Sequence, residues 1–176
     1  MIDCGFQKDN AWFRYRSGAL IVNDDKMLFV KCKFADYYYI IGGGVHHGEI
    51  SADCVEREVF EETGVNGKAE NLCLLIENFF KGKDGAIDNL DCHTLEFYYR
   101  VKLDDVSKIK SKTDCGEDLV WIPLSEIQTK NIKPEFIKNR ISEILEAKNR
   151  CMAGVTAPSA GLFLWNVKFD GIRRHP

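Results

Sequence analysis

Three consecutive glycines, Gly42, Gly43 and Gly44, are followed by Glu49 and then by Glu58, Glu61 and Glu62 within one stretch of helical spacing. At roughly 100° per residue the last three side chains fall within an arc of about 100° on a helix. Like charges at such spacings repel, so the grouping calls for positive compensation. One reading is a solvated acidic face balanced by Arg57 and neighbouring lysines. The other is a divalent cation, and the glycines favour it, because backbone without a Cβ can approach a ligand closely and offer a carbonyl. Mg²⁺ takes hard oxygen donors and usually binds between carboxylates and substrate phosphates. The missing positive charge is therefore most simply a divalent metal, and clustered carboxylates that hold one suit chemistry that depends on positioning and charge stabilisation.

Such a cluster needs a glycine loop set against the start of a helix. From Ser51 the apolar period becomes helical: Ala52, Val55, Val59 and Phe60 fall on one side, with Ser51 placed to cap the start and Gly64 to stop the end. Upstream, Trp12 to Val22 and Lys26 to Lys31 read as strands joined by an Asn23-Asp24-Asp25 turn, and Tyr37 to Ile41 as a short aromatic strand. Downstream, Ala69 to Phe80 and His93 to Leu103 read as longer strands joined by a polar loop from Lys81 to Asp91. Val120-Trp121-Ile122 is a short strand ended by Pro123, and Ser125 to Ile127 makes a helical turn. Pro134 to Lys148 reads as a helix with proline at its first position. The pattern predicts an α+β (mixed α/β) fold, with one domain over residues 1–149 and an extension over 150–176.

The chain has 176 residues, 45% hydrophobic and 29% charged, which is ordinary globular composition. A net charge of -3 and a pI near 5.8 argue against a general nucleic-acid or membrane binder. No apolar run reaches the length of a membrane span, and the first residues do not read as a signal peptide. Seven scattered cysteines without a CxxC pair fit reduced thiols in a cytoplasm. Cys92, His93 and Cys115 match no zinc-ligand spacing.

The stretch from Gly43 to Val65 resembles the Nudix box, G-x5-E-x7-R-E-U-x-E-E-x-G-U with U aliphatic. Gly43, Glu49, Arg57, Glu58, Val59, Glu61, Glu62, Gly64 and Val65 fill every fixed position. The resemblance extends over about Trp12 to Leu145. It implies an α/β/α sandwich with a mixed central sheet and a loop-helix-loop metal site. It also implies a hydrolase of nucleoside diphosphates linked to a further group X, dependent on Mg²⁺ or Mn²⁺. By that likeness Glu61 and Glu62 are the principal metal ligands, assisted by the Gly43 carbonyl. Glu58 is a further ligand or the base that activates water. Arg57 and Glu49 act together, orienting the carboxylates and tying loop to helix. Family members often recruit another acidic residue from outside the box; Glu117 is the first candidate here, with Asp118 and Glu96 behind it. Two departures stand out: Ile41 where many members have proline, and His46 where an acid is common. His46 and His47 read as exposed loop residues.

The box gives the reaction and not X. Arg14 and Arg16, within Trp12-Phe13-Arg14-Tyr15-Arg16, are candidates for phosphate binding, Tyr98 for stacking, and Gly42 and Gly44 for close backbone contact. Phe79 and Tyr99 read rather as core. A nucleoside triphosphate, cleaved to monophosphate and pyrophosphate, is the first expectation, with ADP-ribose-like and dinucleotide substrates open. The alternative from another class is a nucleotide-binding sensor without turnover. Finally, Glu146 to Ile172, around Ala153-Gly154, Thr156-Ala157-Pro158 and Gly161 to Leu164, resembles the closing segment of bacterial tRNA pseudouridine synthases. No catalytic residue of that family transfers with it. The plain reading of the tail is an extra edge strand that packs on the domain or swaps into a neighbour, forming a homodimer.

Overall fold

The computed structural model describes residues 1–83 and 85–146, so the 150–176 extension lies outside the described residues. In chain order the strands and helices are β1 (Gly5–Lys8), β2 (Ala11–Leu20), β3 (Val22–Asn23), β4 (Lys26–Lys31), β5 (Tyr38–Tyr39), β6 (Gly42–Gly44) and α1 (Ser51–Thr63). They continue with β7 (Gly67–Lys81), β8 (Asp91–Leu103), β9 (Asp118–Pro123), β10 (Ile132–Lys133), α2 (Glu135–Asn139) and α3 (Ile141–Glu146). One sheet runs β1-β2-β8-β7, with β6 also on β2; the other runs β10-β5-β4-β3, with β9 also on β4. Both are mixed, because β2 and β8 pair in parallel, as do β10 and β5, while the remaining pairs are antiparallel.

The central stretches 17–20 of β2 and 27–30 of β4 are buried at every position because both of their faces are covered. Successive side chains on a strand point to opposite sides, and two separate cores record it. Ala19, Ile21, Leu28, Val30 and Ile41 pack with Val55 and Val59 of α1. Leu20, Met27, Phe29 and Ile40 pack instead with Ile127, Ile137 and Ile141 from the C-terminal helical segments. The result is the expected α/β/α sandwich.

Helix α1 buries Ser51, Val55, Val59 and Thr63, a single i, i+4 ridge, together with Cys54. Phe60, expected on the buried side, lies one position past that ridge and is 51% exposed. Ser51 does not cap the helix. The cap position is Ile50, in extended backbone and without a side-chain bond, and Ser51 is the first helical residue. Its hydroxyl meets the Tyr99 hydroxyl at 2.7 Å, and its carbonyl accepts from Ser17 Oγ at 2.7 Å, fastening the helix to the sheet below. Gly64 ends the helix as expected, at a left-handed φ of 74°, with its N–H donating to the Phe60 carbonyl.

Other boundaries moved. The first predicted strand divides into β2 and β3 around Ile21, and only Tyr38–Tyr39 of the aromatic stretch pairs as a strand. The predicted C-terminal helix breaks at Arg140 (φ -120°, ψ 14°), and Pro134 is its cap in extended backbone, not its first helical residue. Ile137 and Ile141 both stay buried across the break.

Candidate active site

Arg57, in the second turn of α1, binds the pieces of the glycine loop and helix to one another. Its Nε and Nη2 donate to the two Glu49 oxygens at 2.9 and 3.1 Å, a bidentate pair. Nη1 donates to Glu58 Oε1 at 2.7 Å and to Glu61 Oε2 at 3.2 Å. Nη2 also donates to the Gly44 carbonyl at 3.1 Å. The bonds to Glu49 and then Glu58 hold the guanidinium above its already high pKa, against the desolvation that opposes them. In return the Arg57 bonds, aided by the His46 backbone N–H, bring the Glu49 carboxyl down to about 2 although burial works the other way.

Gly43 sits directly beneath the Glu58 carboxylate. A Cβ built there would collide with the carboxyl group, so glycine is required by the close approach of loop to helix. Gly42 contributes its carbonyl to Arg16 Nη2 at 3.3 Å. Glu61 is more exposed than Glu49 and Glu58; its carboxylate accepts from Arg57, and its backbone carbonyl accepts from Lys110 Nζ at 3.4 Å.

Glu62 differs from the others. Its Oε2 is buried with no hydrogen-bond partner. Burial, followed by the charges of Glu58, Glu117 and Asp114, pushes its carboxyl up to about 7, with Arg16 opposing. Glu117, from the turn before β9, is thus near enough to act on Glu62. Its Oε2 accepts from the Tyr39 hydroxyl and its Oε1 from the Lys33 backbone N–H at 3.2 Å. Asp118 turns away to Lys112 at 2.6 Å, and Glu96 is buried elsewhere in the sheet. Among the described residues, no three carboxylate, imidazole or thiol groups converge closely enough to hold a metal as the side chains stand. Glu58 and Glu61 are turned onto Arg57. The donor set nonetheless fits a hard divalent cation: carboxylate and carbonyl oxygens only, with one desolvated carboxylate oxygen lacking any partner.

The candidates for substrate contact separate. Arg14 Nη2 lies 3.6 Å from Asp3 Oδ2, and its buried Nε has no hydrogen-bond partner. Burial and then neighbouring Arg16 lower its pKa. Arg16 is more committed: Nη2 donates to the Ile40 carbonyl at 2.9 Å as well as to Gly42, and Nη1 lies 4.0 Å from Glu96. Tyr98 is not an accessible stacking surface. It is 1% exposed, its ring meets Phe136 edge-on and its hydroxyl donates to Glu96. Phe79, expected in the core, is 46% exposed and stacks on His93 with ring centroids 4.2 Å apart. Tyr99 packs against the α1 side, as expected. His47 is exposed, but His46 is largely enclosed between Asp3 and Glu49, at 3.4 and 3.6 Å. Cys92 is buried and Cys115 exposed, and they form no cluster with His93. Tyr39, Asp3 and Asp114 carried no signal in the sequence, since each gains its place through contacts between distant segments.

Residues 12–141 match the NUDIX domain family. The chain belongs to the NUDIX family. The match includes the whole Gly43–Val65 box, so the NUDIX loop and helix are β6, the turn after it and α1. Among curated relatives, diphosphoinositol polyphosphate phosphohydrolase 2 of Rattus norvegicus is 35% identical over 74 residues, 42% of this chain and 40% of that protein. A shorter match, to tRNA pseudouridine synthase A of Exiguobacterium sp., is 53% identical over 32 residues, 18% of this chain and 13% of that protein. The chain thus spans less than half the length of either relative. Of solved structures, a UDP-X diphosphatase superposes with TM-score 0.58 at 21% identity, covering 79% of this chain and 64% of that one. A NUDIX-family hydrolase from Clostridium perfringens gives TM-score 0.57 at 21% identity, covering 76% and 96%. Identities at this level speak for the NUDIX fold alone. Among the described residues, no helix is long and apolar enough to cross a membrane.

Proposed function

We propose that this protein is a divalent-cation-dependent hydrolase cleaving the diphosphate of a nucleoside diphosphate linked to a group X. The observation that carries the reading is the Arg57 hub, which gathers Glu49, Glu58, Glu61 and the Gly44 carbonyl beside the desolvated Glu62. Gly43, through its carbonyl, and Glu58, Glu61, Glu62 and Glu117 would hold the cation, Mg²⁺ in the first place and Mn²⁺ as the substitute. Bound there, the cation supplies positive charge against the diphosphate oxygens and makes water a better nucleophile.

The chain's own residues do the rest. Arg57 and Glu49 keep the loop against the helix, so the carboxylates are arranged before substrate arrives. Glu58, packed on Gly43 and held by Arg57, either joins the ligand set or takes the proton from the attacking water. Arg14 would donate to a phosphate oxygen, a role supported by its buried Nε lacking a hydrogen-bond partner. A nucleoside triphosphate or a modified one, yielding monophosphate and pyrophosphate, is the first substrate to try. Dinucleotide and inositol-pyrophosphate substrates follow, since proteins similar to this chain are named for diphosphate cleavage.

The test is release of phosphate and pyrophosphate from a panel of these compounds with and without Mg²⁺ or Mn²⁺. Cation-dependent release supports the reading, and Glu61→Gln, which removes a charge at an exposed position, is expected to lower kcat by about 10²-fold or more with the fold retained. Binding of nucleotide and cation without any release would make the protein a sensor and overturn the hydrolase.

A further inference from the structure

Glu96 lies on β8 with its side chain on the sheet face opposite α1, the face it shares with Tyr98 two residues on. It is 3% exposed, unusual for a carboxylate. Its oxygens accept from Thr94 Oγ1 at 2.5 Å, from Asn78 Nδ2 at 3.2 Å and from the Tyr98 hydroxyl. The cation beside it is Arg16, its register partner on β2, with Nη1 at 4.0 Å. The other Arg16 nitrogen, Nη2, donates to the carbonyls of Ile40 and Gly42. The Gly42 carbonyl immediately precedes Gly43, and the Ile40 carbonyl lies two residues further back on the same segment; the Cα position of Gly43 is pressed against the Glu58 carboxylate. The carbonyls orient Arg16 but carry no net charge to offset its own; Glu96, at 4.0 Å, supplies that charge together with the more remote Glu58. A continuous set of contacts therefore runs from Glu96 through Arg16 and Gly42 to the place where loop and helix meet.

We propose that Glu96 is a positioning residue, which through Arg16 fixes the Ile40 and Gly42 carbonyls and so the seat of Gly43 against Glu58. The role was not visible in the sequence, where Glu96 stood only as a reserve metal ligand and Arg16 as a phosphate binder. Its consequence for rate rests on the hydrolase reading; its consequence for the loop does not. Networks of this kind act as a unit, because removing one member leaves the others unpaired in a low dielectric.

The test uses the full chain and two readouts. Hydrogen exchange compares wild type with Glu96→Gln, which keeps the shape and removes the charge. Faster exchange confined to the amides of residues 42–45, with α1 and β4 unchanged, is expected; uniform acceleration, or no change in 42–45, overturns the proposal. Arg16→Lys is expected to give the same local pattern and serves alone should Glu96→Gln not fold. The second readout is kinetic: kcat falls about tenfold in Glu96→Gln with KM nearly unchanged, and the double variant is no worse than the worse single one. Effects that multiply show the two residues to be independent and overturn the proposal. Should wild type turn over none of the substrates, the hydrolase reading fails, and the exchange experiment still decides the role of Glu96.

Discussion

Arg57 and Glu49 show how a single ion pair can govern a site. Glu49 is largely buried, and its folded pKa of about 2 lies below the ordinary 4.5. A depressed carboxylate stabilises fully above its unfolded pKa and loses that contribution as pH falls toward its folded value. The window here runs from 4.5 down to about 2. Glu49→Gln is therefore expected to lower stability by about 2 kcal/mol near neutral pH, a difference that shrinks toward zero on acidification through this window. Urea titrations of both proteins across that range check it; a pH-independent difference would mean that packing, not charge, is what Glu49 supplies. The identities of Glu49 and Arg57 were readable from the motif. The enclosure of His46 by Asp3 and Glu49 was not, because Asp3 reaches it from the chain's first residues.

At the scale of elements, the loop and helix form one unit whose tightest point is Gly43. Gly43→Ala forces the Glu58 carboxylate aside, so turnover is expected to drop at least about 10²-fold, because a misplacement of about 1 Å at a reacting centre has that effect. Circular dichroism should show α1 retained; a variant with normal kcat would remove Gly43 and Glu58 from the proposed site. The helix itself was legible because its 3.6-residue period is local. What its apolar positions touch was less so: Thr63 and Ser51 took the buried ridge while Phe60 faced outward. Period alone assigns a side of the helix, and the exact ridge depends on how the helix is rotated on the sheet. The break at Arg140 escaped notice for the same reason. Ile137 and Ile141 satisfy a continuous helical pattern whether or not the backbone turns between them.

For the whole molecule, the proposed cation ligands come from β6, α1 and the turn before β9, so cation binding joins segments far apart in sequence. Mg²⁺ at millimolar concentration is expected to raise Tm by a few degrees, reversibly with a chelator, as any ligand selective for the folded state does. Scanning calorimetry checks it, and an unchanged Tm would argue that the carboxylates serve Arg57 alone. Removal of residues 150–176 is expected to leave kcat/KM within about twofold, since every proposed site residue lies before them; a large loss in a folded, cation-binding truncation would place the extension in the site. The sequence by itself determined the box, the helix that carries it and most of the strands of a mixed α/β fold, because each of these is a pattern of near neighbours; the sandwich arrangement came with the family resemblance. Only the tertiary structure decided that Tyr39 would hold Glu117, that Arg16 would brace the glycine loop and that Tyr98 would be buried. Those outcomes depend on strand register and on which sheet face each core covers, and both are set by packing between segments that local spacing does not encode.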